Sequence, residues 1–162
     1  MTRWQKAGLS GALVLVLAVG GAAAASAGAR SKDHTAKGGK KQVHVIEHAV
    51  TDTVIDIGDP GDSTGDLLTF HNDVYDESDS RVVGTDQGEC VRIDPAAGSW
   101  ECRWITILGA GTIAVEGQFL DTANTVVAVT GGTGRYSKAR GEMALLSREG
   151  GTKFDFVFDL NG

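Results

Sequence analysis

Near the C-terminal end of the chain, apolar and polar positions alternate strictly. Phe154, Phe156, Phe158 and Leu160 fall on one side, and Asp155, Asp159 and Asn161 on the other. A period of two, with aromatics on one face and acids on the other, predicts a half-buried β-strand. Short apolar runs separated by Gly, Asp, Asn and Ser recur through the preceding hundred or so positions. They predict strands over 43–51, 66–74, 84–93, 100–108, 112–119, 125–130, 141–147 and 153–160. No convincing amphipathic helical pattern interrupts them. About eight short strands at close spacing predict an antiparallel barrel or sandwich.

The stretch 126–145 organises the second half of this pattern. Val126-Val127-Ala128-Val129-Thr130 is a β-branched run of strand type, and Met143-Ala144-Leu145-Leu146 is a second apolar group. Between them lie Gly131-Gly132-Thr133-Gly134, then Arg135-Tyr136, then Ala139-Arg140-Gly141. This predicts a strand, a tight glycine turn, a compact connection carrying one aromatic, and a strand. A phosphate-binding loop would need a Lys-Ser or Lys-Thr pair after the glycines, and none follows.

The N-terminus has a different composition. Arg3 and Lys6 precede an apolar run from about Ala7 to Val19, followed by Ala25-Ser26-Ala27 and Ala27-Gly28-Ala29. This is the three-part pattern of a secretory signal peptide, expected over 1–29. The apolar run is too short to span a membrane comfortably. The lysine-rich, apolar-poor segment 30–42 reads as a flexible linker. The remaining region, 43–162, is long enough for one domain. Of the 15 basic and 21 acidic residues, residues 1–41 hold 7 and 1, which leaves the remainder at −12. Such a body repels nucleic acid.

Residues 65–76, Gly65-Asp66-Leu67-Leu68-Thr69-Phe70-His71-Asn72-Asp73-Val74-Tyr75-Asp76, carry a specific likeness. They resemble the GDL-x-x-F-x-N-x-x-YD segment of the allene oxide cyclases. The fit continues through Val83-Gly84-Thr85, Gly88-Glu89-Cys90 and Gly117-Gln118-Phe119-Leu120, while the glycine-rich stretch is similar to the dirigent proteins. The resemblance covers nearly all of 43–162. It implies an eight-stranded antiparallel β-barrel with a central pocket, assembled as a homo-oligomer, a dimer or a trimer. It also implies a cofactor-free isomerase or cyclase that folds a small hydrophobic substrate. The alternative is a secreted barrel that binds a lipid-like or polyketide-like molecule without chemistry, or one whose lumen is simply filled. Position by position, the resemblance gives Asn72 a role in holding water at the substrate, Glu47 a role in steering charge, and Cys90 a place in the pocket wall. The chain departs from the plant pattern at Ala49, at Asp52-Thr53-Val54 and at Arg135. Those departures leave the substrate unnamed.

Each candidate also has a plainer reading. Asn72 could bridge backbone near a turn. A one-residue register slip would turn Glu47 outward. Phe70, Trp104, Phe154, Phe156 and Phe158 could fill the barrel instead of lining a pocket. His44 and His48 take the face opposite Glu47, and with His34 and His71 they make no convincing metal set. No nucleophile elbow is present. Cys90 and Cys102 flank the turn-rich Asp94-Pro95-Ala96-Ala97-Gly98-Ser99. In a hairpin centred near Ala96 they sit opposite each other, so a secreted chain is expected to bridge them. That bridge excludes a free thiol at Cys90. The same register puts Trp100, Cys102 and Trp104 on one face, with Cys90 and Arg92 across from them.

Overall fold

The computed structural model describes residues 41–161. The expected signal peptide (1–29) and almost all of the expected linker (30–42) lie outside the described residues. Nine strands follow in order: β1 (Lys41–His48), β2 (Thr53–Ile55), β3 (Leu67–Asp76), β4 (Val82–Asp94), β5 (Ser99–Leu108), β6 (Gly111–Leu120), β7 (Thr125–Gly132), β8 (Arg140–Arg148) and β9 (Lys153–Asn161). A single 3-10 turn, Gly134–Tyr136, connects β7 to β8. Every sheet neighbour is antiparallel. The order β1-β9-β8-β7-β6-β5-β4-β3 closes on itself through β1–β3 pairing, which makes an eight-stranded barrel. Closure leaves no long unpaired edge, the standing hazard of an all-β chain.

The expected strands are all present, and the ninth, β2, is an addition. β1 pairs with residues 73–76 of β3, and β2 pairs with residues 67–69 of the same strand. One long strand is therefore served by two short ones in succession. The chain breaks register between them at Ala49 to Asp52.

Alternation sorts the side chains as the sequence predicts. Phe154, Phe156, Phe158 and Leu160 all face inward, and Phe156 and Phe158 are almost completely buried. Val45, Val74, Ile113, Val115, Val127, Met143 and Leu145 complete the inner surface. Each large side chain buried this way contributes about 1.5–3 kcal/mol. The glycine-rich connection is a packing device. A Cβ on Gly132 would stand 2.3 Å from the Thr112 carbonyl oxygen and 2.6 Å from that of Tyr136, so only glycine lets the 3-10 turn fold back over β6. Tyr136, the one aromatic of the connection, is buried there.

One end of the barrel is tied by Arg92. Its guanidinium donates to both carboxylate oxygens of Asp62, at 2.6 and 2.8 Å, and to Asp121 at 2.7 Å. It lies 4.2 Å over the Trp100 ring, whose Nε1–H donates to Asp121 at 2.8 Å. Two loops are thereby fastened to the β4–β5 hairpin. Among the described residues, no helix is long and apolar enough to cross a membrane.

Candidate functional site

The site grows out of the register break between β1 and β2. Backbone N–H groups of Val50 and Thr51 have no ladder partner there, and each needs an acceptor from elsewhere. Asn72, on the inner face of β3, supplies it. Its Oδ1 accepts from Val50 N–H at 3.0 Å, from Thr51 N–H at 2.8 Å and from the Thr51 hydroxyl at 3.0 Å. Those contacts fix which way round the amide sits. Its Nδ2 must then face the lumen side, where it donates to Glu47 Oε1 and Asp52 Oδ1, both at 2.8 Å. Asn72 is 2% exposed and has both N–H groups engaged.

Glu47 comes from the inner face of β1, between Phe154 of β9 and Val74 of β3. Alternation from Val45 turns it inward, and it is 6% exposed. Burial is the main reason its pKa rises from the usual 4.5 to about 7; the Asn72 hydrogen bond opposes the rise. Directly across the ladder from Asn72 lies Asp86 of β4, fully buried. Its carboxyl is pushed up to about 9, first by burial and then by the negative charge of Glu47. Across the next ladder is Thr106 of β5. Glu47, Asn72, Asp86 and Thr106 therefore form a polar row across four strands of an otherwise apolar lumen. Asp52 joins from the β1–β2 connection. These three carboxyls are not disposed to hold a metal ion together.

Below this row is a cavity of about 50 Å3. Its wall comprises Leu68, Phe70, Trp104, Phe119, Leu145, Phe154 and Phe156, with Glu47 and Asp52 as its ionisable members. Cys90 and Cys102 also line it, joined in the expected disulfide, because the β4–β5 ladder sets them directly opposite each other. The aromatic wall is interlocked. Phe70 meets Trp104 edge-on at 6.3 Å, Trp104 meets Phe156 at 5.8 Å, and Phe119 meets Phe154 at 5.9 Å. Gly88, inward on β4 between Phe70 and Trp104, makes room for the first of these contacts. A Cβ there would lie 2.3 Å from the Trp104 Cβ.

The sequence candidates thus divide. Glu47, Phe70, Cys90, Cys102, Trp104, Phe154 and Phe156 converge on the cavity. Phe158 faces inward but lies deeper, edge-on to Phe156 at 6.4 Å, and is core. Asn72 touches Glu47 but has no N–H left to hold a water at a substrate. Its geometry is that of a residue positioning Glu47. His44 and His48 are on the outer face as expected, half-buried against Asp155 at 2.8 Å and Asp79 at 2.6 Å. Asp52, Asp86 and Thr106 were not among the candidates. Asp86 was open to detection: counting back by twos from Cys90 gives Gly88, then Asp86, on the inward side.

The profile of the family described as allene oxide cyclase matches residues 48–162. The chain belongs to the allene oxide cyclase family. Among solved structures, this family member is similar to pyocyanin demethylase, with 24% identity, a TM-score of 0.63, and coverage of 73% of this chain and 100% of that one. It is similar to AbnU, an exo-specific intermolecular Diels-Alderase, at 18% identity and TM-score 0.59, covering 77% and 100%. It is also similar to the pterocarpan synthase dirigent protein GePTS1, at 19% identity and TM-score 0.57, covering 76% and 87%. At these identities the likeness establishes the fold. Among allene oxide cyclase family features, the GDL-x-x-F-x-N segment therefore has a visible structural job here. Asp66 folds the loop before β3 by accepting from Ile57 and Ser63 N–H, both at 2.8 Å, and Asn72 joins β1 to β2.

Proposed function

We propose that this member of the allene oxide cyclase family is a secreted, cofactor-free isomerase or cyclase acting on a small hydrophobic molecule held in the barrel lumen. The observation that carries the reading is Glu47, a buried carboxyl bordering an apolar cavity. A carboxyl whose pKa stands near neutrality can face a developing cation or exchange a proton. The aromatic wall would hold a flexible substrate in one folded shape, which removes entropy before the chemical step. Trp104 adds a substrate requirement. It lines the cavity, and its buried Nε1–H has no acceptor within reach. The substrate we infer is uncharged and carries an acceptor oxygen, since three nearby carboxyls oppose an anion.

The volume bears on this. A cavity of about 50 Å3 holds a few waters at most, well below the roughly 300 Å3 of ordinary ligand pockets. Substrate entry therefore requires Phe70, Phe119 or Phe154 to swing aside; all three are only half-buried. The same tightness favours a barrel whose lumen is simply filled over the second reading, a secreted barrel that binds a lipid-like or polyketide-like molecule and does no chemistry. The N-terminal charge and hydropathy pattern supports export in both readings. Ile55, Val91 and Ile93, exposed on the outer face, support assembly as a homo-oligomer.

Extraction of the purified full chain, followed by mass spectrometry, tests the reading. An isomerase converts the recovered molecule, or a close analogue, into a product of identical mass. A recovered molecule that the protein binds but leaves unchanged supports the second reading instead.

A further inference from the structure

The lumen row contains more hydrogen-bond acceptors than its donors can serve. Glu47, Asp52 and Asp86 bring three carboxyl groups together around one amide. Asn72 has two N–H donors, and both are spent, one on Glu47 Oε1 and one on Asp52 Oδ1. The other end of the amide cannot be exchanged for it, because Val50 N–H, Thr51 N–H and the Thr51 hydroxyl all donate to Oδ1. Asp86 is completely buried, and neither of its oxygens accepts a well-formed hydrogen bond; the Asn72 backbone N–H across the ladder is the one donor close enough to act on it. Thr106, its neighbour across the β4–β5 ladder, makes no hydrogen bond through its hydroxyl either. Among the described residues, no Lys, Arg or His faces the group: the charges that act on it come from Glu47 on β1 and Asp52 on the β1–β2 connection, while Asn72 on β3 and Thr106 on β5 are neutral. A bare carboxylate so placed loses its hydration with nothing to offset the loss.

We propose that Asp86 is a positioning residue that stays protonated at neutral pH and donates its O–H to Glu47, so that the two carboxyls share one proton and one negative charge. The arrangement satisfies Asp86 by turning an orphaned acceptor into a donor. It also supplies Glu47 with a second donor beside Asn72, on the side away from the cavity. Glu47 is thereby kept available as a carboxylate in an apolar lumen without a cationic partner. The lumen is left with a group able to accept a proton or oppose a positive charge. Burial pushes both carboxyls upward, in agreement with the donor count. The pair titrates as a unit. The inference concerns the same Glu47 on which the proposed function rests, but its test needs no substrate.

The test is an NMR titration of the full chain, with side-chain carboxyl carbons of Asp and Glu labelled with 13C. The proposal expects the Asp86 carbon to keep its protonated shift past pH 7, while exposed aspartates titrate near pH 4. It expects Glu47→Gln to lower the Asp86 midpoint by a unit or more. Asp86→Ala should raise the Glu47 midpoint, and Asp86→Asn, which keeps a donor, should restore it toward the native value. A merely space-filling role for Asp86 would leave Glu47 unmoved in both variants. An Asp86 midpoint at the ordinary aspartate value in the native chain overturns the proposal, even if the variants fail to fold. A shared proton seen here together with unimpaired turnover by Glu47→Gln would sink the proposed function and leave the pair intact.

Discussion

Asp86 sits directly opposite Asn72 on the β3–β4 ladder, yet the Asn72 side chain has no hydrogen bond to give it. The amide is committed elsewhere, to the break between β1 and β2 and to the carboxylates of Glu47 and Asp52. A backbone necessity, capping two unpaired N–H groups, thus decides how the lumen is charged.

That relationship has a signature in stability against pH. The folded-state pKa values of Glu47 and Asp86 lie above those of the unfolded chain, so the folded protein binds more protons between about pH 4 and pH 9. Their favourable contribution is present at low pH and is lost as pH rises. Asp66, held down by the N–H groups of Ile57 and Ser63, and Asp79, held down by Lys153 and His48, act in the opposite sense and lose their contribution as pH falls. Thermal stability should therefore peak in a mildly acidic window, around pH 5, and decline toward pH 9. Asp86→Asn should flatten the alkaline decline. Melting curves from pH 4 to 9 check this, and a native melting temperature rising steadily toward pH 9 would contradict it.

Asn72 should be intolerant of change. Asn72→Ala removes the acceptor of two backbone N–H groups and the donors of two carboxylates. The expected loss is about 3 kcal/mol or more. Asn72→Asp keeps the acceptor but loses both donors and adds a fourth carboxyl, so its deficit should grow with pH. Denaturant unfolding at pH 5 and pH 8 separates the two. An Asn72→Asp variant equally stable at both would show that the amide donors carry little.

The disulfide closes a separation of 12 residues across the hairpin turn. In the chain-entropy account such a closure is worth about 2–3 kcal/mol. Replacing both cysteines with serine should lower the melting temperature by several degrees. It should also perturb ligand binding, because both cysteines line the cavity. Thiol labelling of the denatured, unreduced full chain should find no free cysteine; two labelled thiols would overturn the bridge.

Arg92 should matter through what it ties together. Its planar guanidinium serves Asp62 and Asp121 at once and stacks on Trp100. A lysine cannot reproduce that fork. Arg92→Lys should cost about 1–2 kcal/mol and speed hydrogen exchange in the two loops it fastens. Exchange unchanged in both loops would show that they hold without it.

Much of this barrel was legible because alternation is a strong signal when one strand face is buried. Phe154 to Leu160 announced both a strand and its inward side. β2 is not legible: it is three residues long, all exposed, and falls in the connection after the first predicted strand, 43–51. Glu47 and Asn72 were found through family resemblance, and the alternation from Val45 to Glu47 supports the inward direction of the first. The role of Asn72 was not legible, since it depends on a register break that local sequence does not reveal. Asp86 lies inside the predicted strand 84–93 and on the same face as Cys90, but an acid on a strand reads as solvent-exposed until that face is known to turn inward. Its burial follows only from pairing with β3 and β5. Phe158 shows a related limit: alternation tells which face a side chain takes, and not how far along the lumen it sits.

The central claim is that Glu47 is the reacting group of a lumen that acts on a small uncharged molecule. Its most direct test compares native protein with Glu47→Gln on the molecule recovered from the full chain, measuring binding and same-mass conversion side by side. The account predicts that conversion falls at least a hundredfold while binding stays within a few fold. Equal conversion by the two proteins would contradict it.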